Sequence, residues 1–147
     1  MTFRWLTGLL AVTVAVASAA AQTTGGVPAG EANLGTVSIP RAVMADGKPL
    51  AAGSYQVRLT AQAAQPQVAG QTMERWVEFV RGGEVRGREV VSIVPNAEMK
   101  DLFSADESRL SAPRGARVEM LKGNDYLRVW IARGGVNYLI HLPPSAK

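Results

Sequence analysis

Two turns near the C-terminus constrain the fold of this chain more than any other feature of its sequence. Gly123-Asn124 and Gly134-Gly135 are dipeptides that tolerate positive φ, the conformation that a two-residue β-hairpin turn requires. The segments that flank them alternate apolar and polar residues with the period of a half-buried strand. The pattern therefore predicts three consecutive antiparallel strands, over residues 116–121, 125–132 and 136–142.

The same turns predict the register of these strands. Glu119 is expected opposite Arg128, which is in turn expected opposite His141. Arg117 is expected opposite Trp130. One face of this sheet is then wholly apolar, and a slip of one residue would destroy the separation. The apolar face consists of Val118, Met120, Leu127, Val129, Ile131, Tyr138, Ile140 and Leu142.

Short alternating segments separated by Gly, Pro and Asp turns continue through the rest of the chain. This rhythm is typical of all-β proteins. We expect an antiparallel β-sandwich of about seven strands, with a small β-barrel as the alternative. The remaining strands are predicted over residues 36–39, 54–60, 75–81 and 84–94, with a less regular one at 41–45.

The register of the hairpin over residues 75–94 is left open by the sequence. Its turn at Gly82-Gly83 sets Phe79 opposite Arg86, which mixes apolar and charged residues on one face. A bulge near Gly87 would restore the alternation. Trp76 and Phe79 are expected in the core.

Residues 95–114 can be interpreted either as a long loop or as a loop that contains a short helix. Asn96 is a residue type that caps helices, and it precedes Met99, Leu102 and Phe103 at helical spacing. Both interpretations remain open.

The N-terminus has the pattern of a secretory signal peptide. Arg4 precedes an apolar run at residues 6–16, and the small residues Ala19-Ala20-Ala21 end it before Gln22. The run is shorter than the roughly 20 apolar residues of a membrane span. We expect cleavage after residue 21 and export to the periplasm or the medium, with an uncleaved anchor as the alternative.

The remainder is one domain's worth of chain. Residues 22–33 are small and polar, which is typical of a flexible tether. A single domain is expected over residues 34–143, because the prolines at 143 and 144 end the last strand and leave a tail at 144–147.

Composition excludes several classes of function. The chain has no cysteine, which excludes a disulfide framework, thiol catalysis and the lipid-modified cysteine of a bacterial lipoprotein. Its net charge of +4 is too mild for the basic stripe of a nucleic-acid binder. His141 is the only histidine, so no imidazole metal site and no cofactor are expected.

The strongest candidate site lies on the polar face of the predicted C-terminal sheet. An arginine beside an indole is a common way to build a site for a sugar, a peptide or a lipid headgroup. The alternative is that Arg117 only covers Trp130, or that the loop over residues 95–114 folds over this face. The candidate ligand-binding residues are Trp130, Tyr126, Arg128, Arg117 and His141.

The segment from Asp46 to Leu59, DGKPLAAGSYQVRL, resembles a phrase common in secreted bacterial β-sandwich domains, including prealbumin-like and carboxypeptidase-regulatory-like modules. Its physical content is a turn at Asp46-Gly47, a Gly53 that can adopt a strained φ, and a strand whose inner face begins with Tyr55. The stretch from residue 125 to 143 is similar to the ending of small exported bacterial proteins. These resemblances imply a fold class and no catalytic residue.

We therefore expect an exported, non-catalytic binding or interaction module of the bacterial periplasm or cell surface. Its partner would be a glycan, a peptide or an envelope protein, with no nucleic acid and no stable membrane span after signal cleavage. One alternative is a structural or accessory envelope protein that acts through protein contacts. A third is a small hydrolase in which two of Glu78, Glu89 and Glu119 act as acid and base, although no catalytic motif is present.

Overall fold

The computed structural model describes residues 26–65, 72–99, 115–121, 123 and 125–145. Within these residues the chain forms nine β-strands and one short 3-10 helix. None of the helices in this part of the chain is long and apolar enough to cross a membrane. The elements are β1 (Ala32–Ile39), β2 (Val43–Ala45), β3 (Lys48–Leu50), β4 (Gly53–Ala63), β5 (Met73–Arg81), β6 (Glu84–Pro95), the 3-10 helix (Asn96–Glu98), β7 (Gly115–Met120), β8 (Leu127–Arg133) and β9 (Val136–Leu142).

Seven of these strands form one antiparallel sheet in the order β1-β4-β5-β6-β9-β8-β7. The outermost strands β1 and β7 also contact each other, so the sheet curls into a nearly closed barrel. The all-β prediction is confirmed, and the architecture is the barrel that the sequence left as the alternative to a sandwich. Closure gives the apolar faces of all seven strands a single interior to share.

The three C-terminal strands pair in the predicted register. Glu119 lies opposite Arg128, Arg128 opposite His141, and Arg117 opposite Trp130. All of the residues predicted for the apolar face lie in the core or pack against it. Local turn chemistry and strand alternation were therefore sufficient to predict this part of the molecule.

The hairpin of β5 and β6 contains the bulge that the sequence required. Phe79 lies opposite Gly87, and the next pair is Val80 with Val85, so Arg86 is the additional residue. Phe79 is fully buried, as predicted. The prediction for Trp76 is wrong, because strand alternation places it on the outer face of the barrel, where it is half-buried.

The hairpin of β2 and β3 covers one end of the barrel, which we call the hairpin end. The predicted turn at Asp46-Gly47 is present, with φ of 47° and 72°. A Cβ at Gly87 would lie 3.2 Å from Leu50 Cδ1 and 3.3 Å from Ala45 Cβ, so the absence of a side chain there lets the hairpin pack closely on β6. The less regular strand pattern at 41–45 corresponds to β2, whereas β3 was not predicted.

Residues 26–31 close the other end of the barrel, which we call the N-terminal end. Val27 is only 6% exposed and belongs to the core. The sequence placed these residues in a flexible tether over 22–33, whereas in the structure they lie against the barrel and β1 begins at Ala32. The predicted signal peptide lies outside the described residues.

Arg75 holds this segment in place. Its side chain points into the barrel and is 5% exposed. The guanidinium donates hydrogen bonds to the carbonyl oxygens of Thr60 at 2.7 Å, Pro28 at 2.6 Å and Gly30 at 2.7 Å. Burial lowers the pKa of Arg75 from its ordinary value. A buried cation therefore ties two distant segments of backbone together at the N-terminal end.

Candidate functional site

The structure brings all five predicted site residues together on the outer face of β7, β8 and β9. Arg117 Cζ lies 5.5 Å from the centre of the Trp130 ring, and Arg128 Cζ lies 5.9 Å from it. The rings of Tyr126 and His141 meet edge to face, with their centres 6.3 Å apart. The cluster exists because the predicted register is correct.

The Trp130 ring, however, is buried against other side chains of the protein. It is 1% exposed and packs with Val94, Leu139 and Met99 in a second, smaller apolar cluster outside the barrel. Its Nε1–H donates a hydrogen bond to Asn137 Oδ1 at 2.8 Å. This burial favours the alternative in which Arg117 covers Trp130.

Asn137 organises this outer cluster and was not singled out in the sequence. It is fully buried, and its Nδ2 donates to Asn96 Oδ1 at 2.6 Å and to the Val94 carbonyl oxygen at 3.3 Å. Asn96 therefore accepts a hydrogen bond from a neighbouring strand. It does not cap the 3-10 helix, since that helix follows Pro95 and has no side-chain cap. The rest of the loop or helix predicted over residues 95–114, from residue 100 onward, lies outside the described residues.

Arg128 is held by Glu119. It is 5% exposed, and its Nε and Nη2 donate to Glu119 Oε1 at 2.9 and 2.7 Å. Partial burial and the neighbouring Arg128 charge both lower the pKa of His141. Tyr126 is 44% exposed and His141 is also exposed, whereas Arg117 and Glu119 are half-buried, so the accessible part of this face consists mainly of Tyr126 and His141.

The three carboxylates considered for a hydrolase lie on separate surfaces. Glu78 accepts a hydrogen bond from Arg58 Nε at 2.9 Å on the outer face of β5, and Glu119 pairs with Arg128 on the distant strand β7. Glu89 accepts from the backbone N–H groups of Asp46 and Val90 at 2.8 and 2.9 Å. An acid and a base that cleave a glycosidic bond must flank one cleft, and these groups do not.

A groove of about 480 Å³ opens at the hairpin end, where the sequence predicted no site. It lies between β3 and the β5–β6 hairpin. The groove combines an apolar wall with an aromatic ring and two cations. Its lining residues are Pro49, Leu50, Ala51, Tyr55, Arg81 and Arg86.

The floor of the groove is rigid because Tyr55 is fixed on several sides. The ring is 2% exposed and packs edge to face with Phe79, with the ring centres 6.1 Å apart. Its hydroxyl donates a hydrogen bond to the Ala51 carbonyl oxygen at 2.7 Å. The aromatic ring therefore offers a fixed surface on which a neighbouring cation can rest.

Arg81 rests on this floor because Gly53 has no side chain. Gly53 has a φ of 148°, and a Cβ there would lie 2.7 Å from Arg81 Nη1. The Arg81 Cζ lies 5.7 Å from the centre of the Tyr55 ring. Both halves of this arrangement were visible in the sequence, as the Gly53-Ser54-Tyr55 phrase and the Arg-Gly-Gly turn, but the contact between them depends on strand pairing.

The charges around the groove are unbalanced toward positive. Arg86 Nη2 lies 3.0 Å from Glu84 Oε2, and both side chains are largely exposed. Arg81 forms no ion pair with any residue in the part of the chain that the structure describes. The groove therefore carries one net positive charge at its rim.

Comparison with known proteins adds no family to this description. No protein-family model matches the chain, and neither the characterised proteins nor the solved structures contain a significant match. Within the described residues, no three His, Asp or Glu side chains are placed to hold a metal ion. The geometry of the barrel and its groove is the basis for the proposal that follows.

Proposed function

We propose that this chain is an exported, non-catalytic binding module of the bacterial periplasm or cell surface, and that the groove at the hairpin end is its ligand site. The observation that carries the proposal is the lining of the groove. Arg81 and Arg86 supply hydrogen-bond donors and positive charge, while Pro49 and Ala51 supply an exposed apolar wall that is supported by the buried Leu50. The groove shares the concavity and the mixed lining of small-molecule sites, although it exposes more polar than apolar surface.

The chemistry of the lining favours binding over catalysis. General acid–base catalysis needs a group whose pKa lies near the working pH. A guanidinium stays protonated throughout that range, and the other lining side chains are aliphatic except for the buried phenol of Tyr55. The groove can therefore recognise and orient an anion, and none of its side chains is suited to transfer a proton at neutral pH.

The export part of the proposal rests on the signal-peptide pattern of residues 1–21. It is tested by expressing the full chain in a bacterial host, separating periplasm from cytoplasm, and measuring the mass of the recovered protein. We expect a periplasmic protein that begins at Gln22. An Ala21→Phe variant should accumulate uncleaved, and a wild-type chain that stays full-length in the cytoplasm would refute export.

The binding part is tested by a thermal-shift screen of the exported protein against glycans, lipid headgroups, peptides, organic anions and divalent metals. A ligand at 100 times its Kd should add about 2.7 kcal/mol to the free energy of unfolding, which raises Tm by several degrees. A shift that disappears in Arg81→Ala and persists in Tyr126→Ala assigns the ligand to the groove. The reverse result assigns it to the outer face of β8 and β9.

A flat screen on a protein that melts cooperatively would contradict a small-molecule function. It would instead support the structural or accessory role, in which the barrel acts through protein contacts. Capture experiments with envelope extract would then be the next measurement.

A further inference from the structure

We infer that the groove at the hairpin end binds a single carboxylate that is attached to an apolar body, an inference that rests on the binding function proposed above. The carboxylate would lie between Arg81 and Arg86, and the apolar body would lie along Pro49 and Ala51, the exposed apolar residues of the wall. Such a ligand is either a free organic monocarboxylate or the C-terminal residue of a peptide, because both present the same chemistry to the groove.

Charge favours a monoanion. Arg81 and Arg86 contribute two positive charges, and Glu84 at 3.0 Å from Arg86 neutralises one of them. A carboxylate balances the remaining charge, whereas a phosphate dianion would leave an uncompensated negative charge beside the Glu84 carboxylate. Like charges at close range repel each other, which selects against the dianion.

The position of Arg81 favours a planar anion. A guanidinium presents parallel N–H donors that match the two oxygens of a carboxylate. Arg81 is held over the buried Tyr55 ring, 5.7 Å from its centre, and the missing side chain at Gly53 leaves room for it. Because the ring and the backbone restrict this arginine before the ligand arrives, binding loses less side-chain freedom than it would with a mobile cation.

The opposite wall favours an apolar body. Leu50 belongs to the core, so the wall that it forms with Pro49 and Ala51 is fixed by the barrel beneath it. The volume of about 480 Å³ lies within the range of roughly 300–1,000 Å³ that small-molecule sites occupy. It exceeds the needs of an inorganic anion and leaves room for an aliphatic chain or an amino-acid side chain.

Isothermal titration calorimetry of the exported protein tests this inference. The probes are hexanoate, hexanamide, hexyl phosphate and acetate, together with the dipeptide Gly-Leu and its C-terminal amide. We expect hexanoate or Gly-Leu to bind, the matching amide to bind at least about tenfold more weakly, and acetate to bind more weakly than hexanoate. Preference for hexanoate over Gly-Leu indicates a free acid, and the opposite preference indicates a peptide C-terminus.

Two variants connect the binding to Arg81. Arg81→Ala should weaken binding of the preferred carboxylate by at least about tenfold, and Arg81→Lys should weaken it less, because it keeps the charge and loses the paired donors. Tyr126→Ala, on the outer face of the C-terminal strands, should bind as the wild type does. The Tm of each variant, measured alongside, shows whether it is folded, and Arg81→Lys keeps the test valid if the alanine variant is not.

Tighter binding of hexyl phosphate than of hexanoate would overturn the inference, as would unchanged affinity in a folded Arg81→Ala or Arg81→Lys protein. These results are distinct from failure of the proposed function. If the carboxylates do not bind and the screen identifies a glycan or a metal, the binding function stands and only the ligand class is wrong. If no ligand binds, the binding function and the ligand class are both wrong.

Discussion

The two ends of the barrel contain the same turn and use its arginine in different ways. Each end has an Arg-Gly-Gly sequence, at residues 81–83 and 133–135. The turn glycines have nearly identical φ, 60° and 78° at the hairpin end and 61° and 77° at the N-terminal end. Arg133 donates a hydrogen bond to the Asn33 carbonyl oxygen at 2.6 Å, whereas Arg81 rests on Tyr55 and lines the groove.

The difference shows that a local sequence determines its turn without determining the role of the side chain beside it. At the N-terminal end, Arg75 and Arg133 both donate to backbone carbonyl groups, which joins β1 and the preceding segment to the barrel. At the hairpin end, Gly53 and Tyr55 lie across from Arg81 and leave its donors available to a ligand. One end is built for closure, and we propose that the other is built for recognition.

The sharpest way to break this comparison is to remove the buried cation of the N-terminal end. Arg75→Met should lower the free energy of unfolding by about 3 kcal/mol, because three partly buried hydrogen bonds to backbone carbonyl oxygens are lost together. Chemical denaturation measures the loss. The control is Arg58→Met, since Arg58 is 42% exposed in its pair with Glu78 and an exposed ion pair contributes little to stability.

Equal losses of unfolding free energy in Arg75→Met and Arg58→Met would show that Arg75 contributes no more to stability than an arginine in a surface ion pair. Hydrogen exchange adds a positional test. The amides of residues 26–31 should lose protection in Arg75→Met while those of the β2–β3 hairpin keep theirs.

The next largest effect is expected from filling the contact between the hairpin and the barrel. Gly87→Val places methyl groups where Leu50 and Ala45 already lie within 3.3 Å of a Cβ position, so it should destabilise the protein by about 1–3 kcal/mol. Hydrogen exchange of the backbone amides over residues 43–50 should also become faster. Gly30→Ala is the matched control at the other end, because no atom lies within 4 Å of its Cβ position. A Gly87→Val protein as stable as Gly30→Ala would show that the hairpin does not pack tightly.

The sequence predicted the C-terminal strands well because their information is local. Turn residues and alternation determine both the register and the apolar face, and neighbours in the sheet are neighbours in the chain. The same reasoning left open whether Trp130 is accessible, because alternation reports which face a residue occupies and does not report whether that face is covered. Here Val94 and Leu139 bury the ring on the outer side.

The two ends were harder to predict because their contacts join distant parts of the chain. Arg75 bonds to Pro28 across 47 positions, and Pro28 and Gly30 contribute only carbonyl oxygens, which every residue has. No side-chain pattern predicts such a contact, so residues 26–31 were interpreted as part of a tether. The groove likewise depends on Gly53 meeting Arg81, a pairing of two motifs that were recognised separately as turn and strand signals.

A smaller effect should separate the two Arg-Gly-Gly arginines. Arg133→Ala removes a hydrogen bond to backbone and should lower stability by about 1 kcal/mol. Arg81→Ala removes the contact of an exposed side chain with the buried Tyr55 ring and should change stability by about 0.5 kcal/mol or less. Parallel thermal melts of the two variants provide the measurement. A larger loss for Arg81 than for Arg133 would mean that the groove arginine is structural, which would weaken its assignment as a ligand-binding residue.

The smallest effect concerns the pH dependence of stability, and we expect it to come from His141 on β9. Burial and the Arg128 charge lower the pKa of His141, so the unfolded chain binds a proton there more readily than the folded protein does. The stability that depends on a neutral His141 is therefore present above the ordinary histidine pKa of about 6.5 and is lost as the pH falls below it. Tyr126 packs against the His141 ring, and Glu119 holds Arg128. A substitution of His141 leaves Tyr126 and the pair of Glu119 with Arg128 unchanged in sequence. Denaturation at intervals between pH 7.5 and 5 should show a smaller loss of stability on acidification in His141→Gln than in the wild type.

The guanidinium of Arg75 stays charged over this range, and Arg75→Met should therefore retain the wild-type pH dependence on a lower baseline. If the pH dependence disappears with Arg75 instead of His141, acid sensitivity belongs to the N-terminal end and the contrast between the two ends must be redrawn.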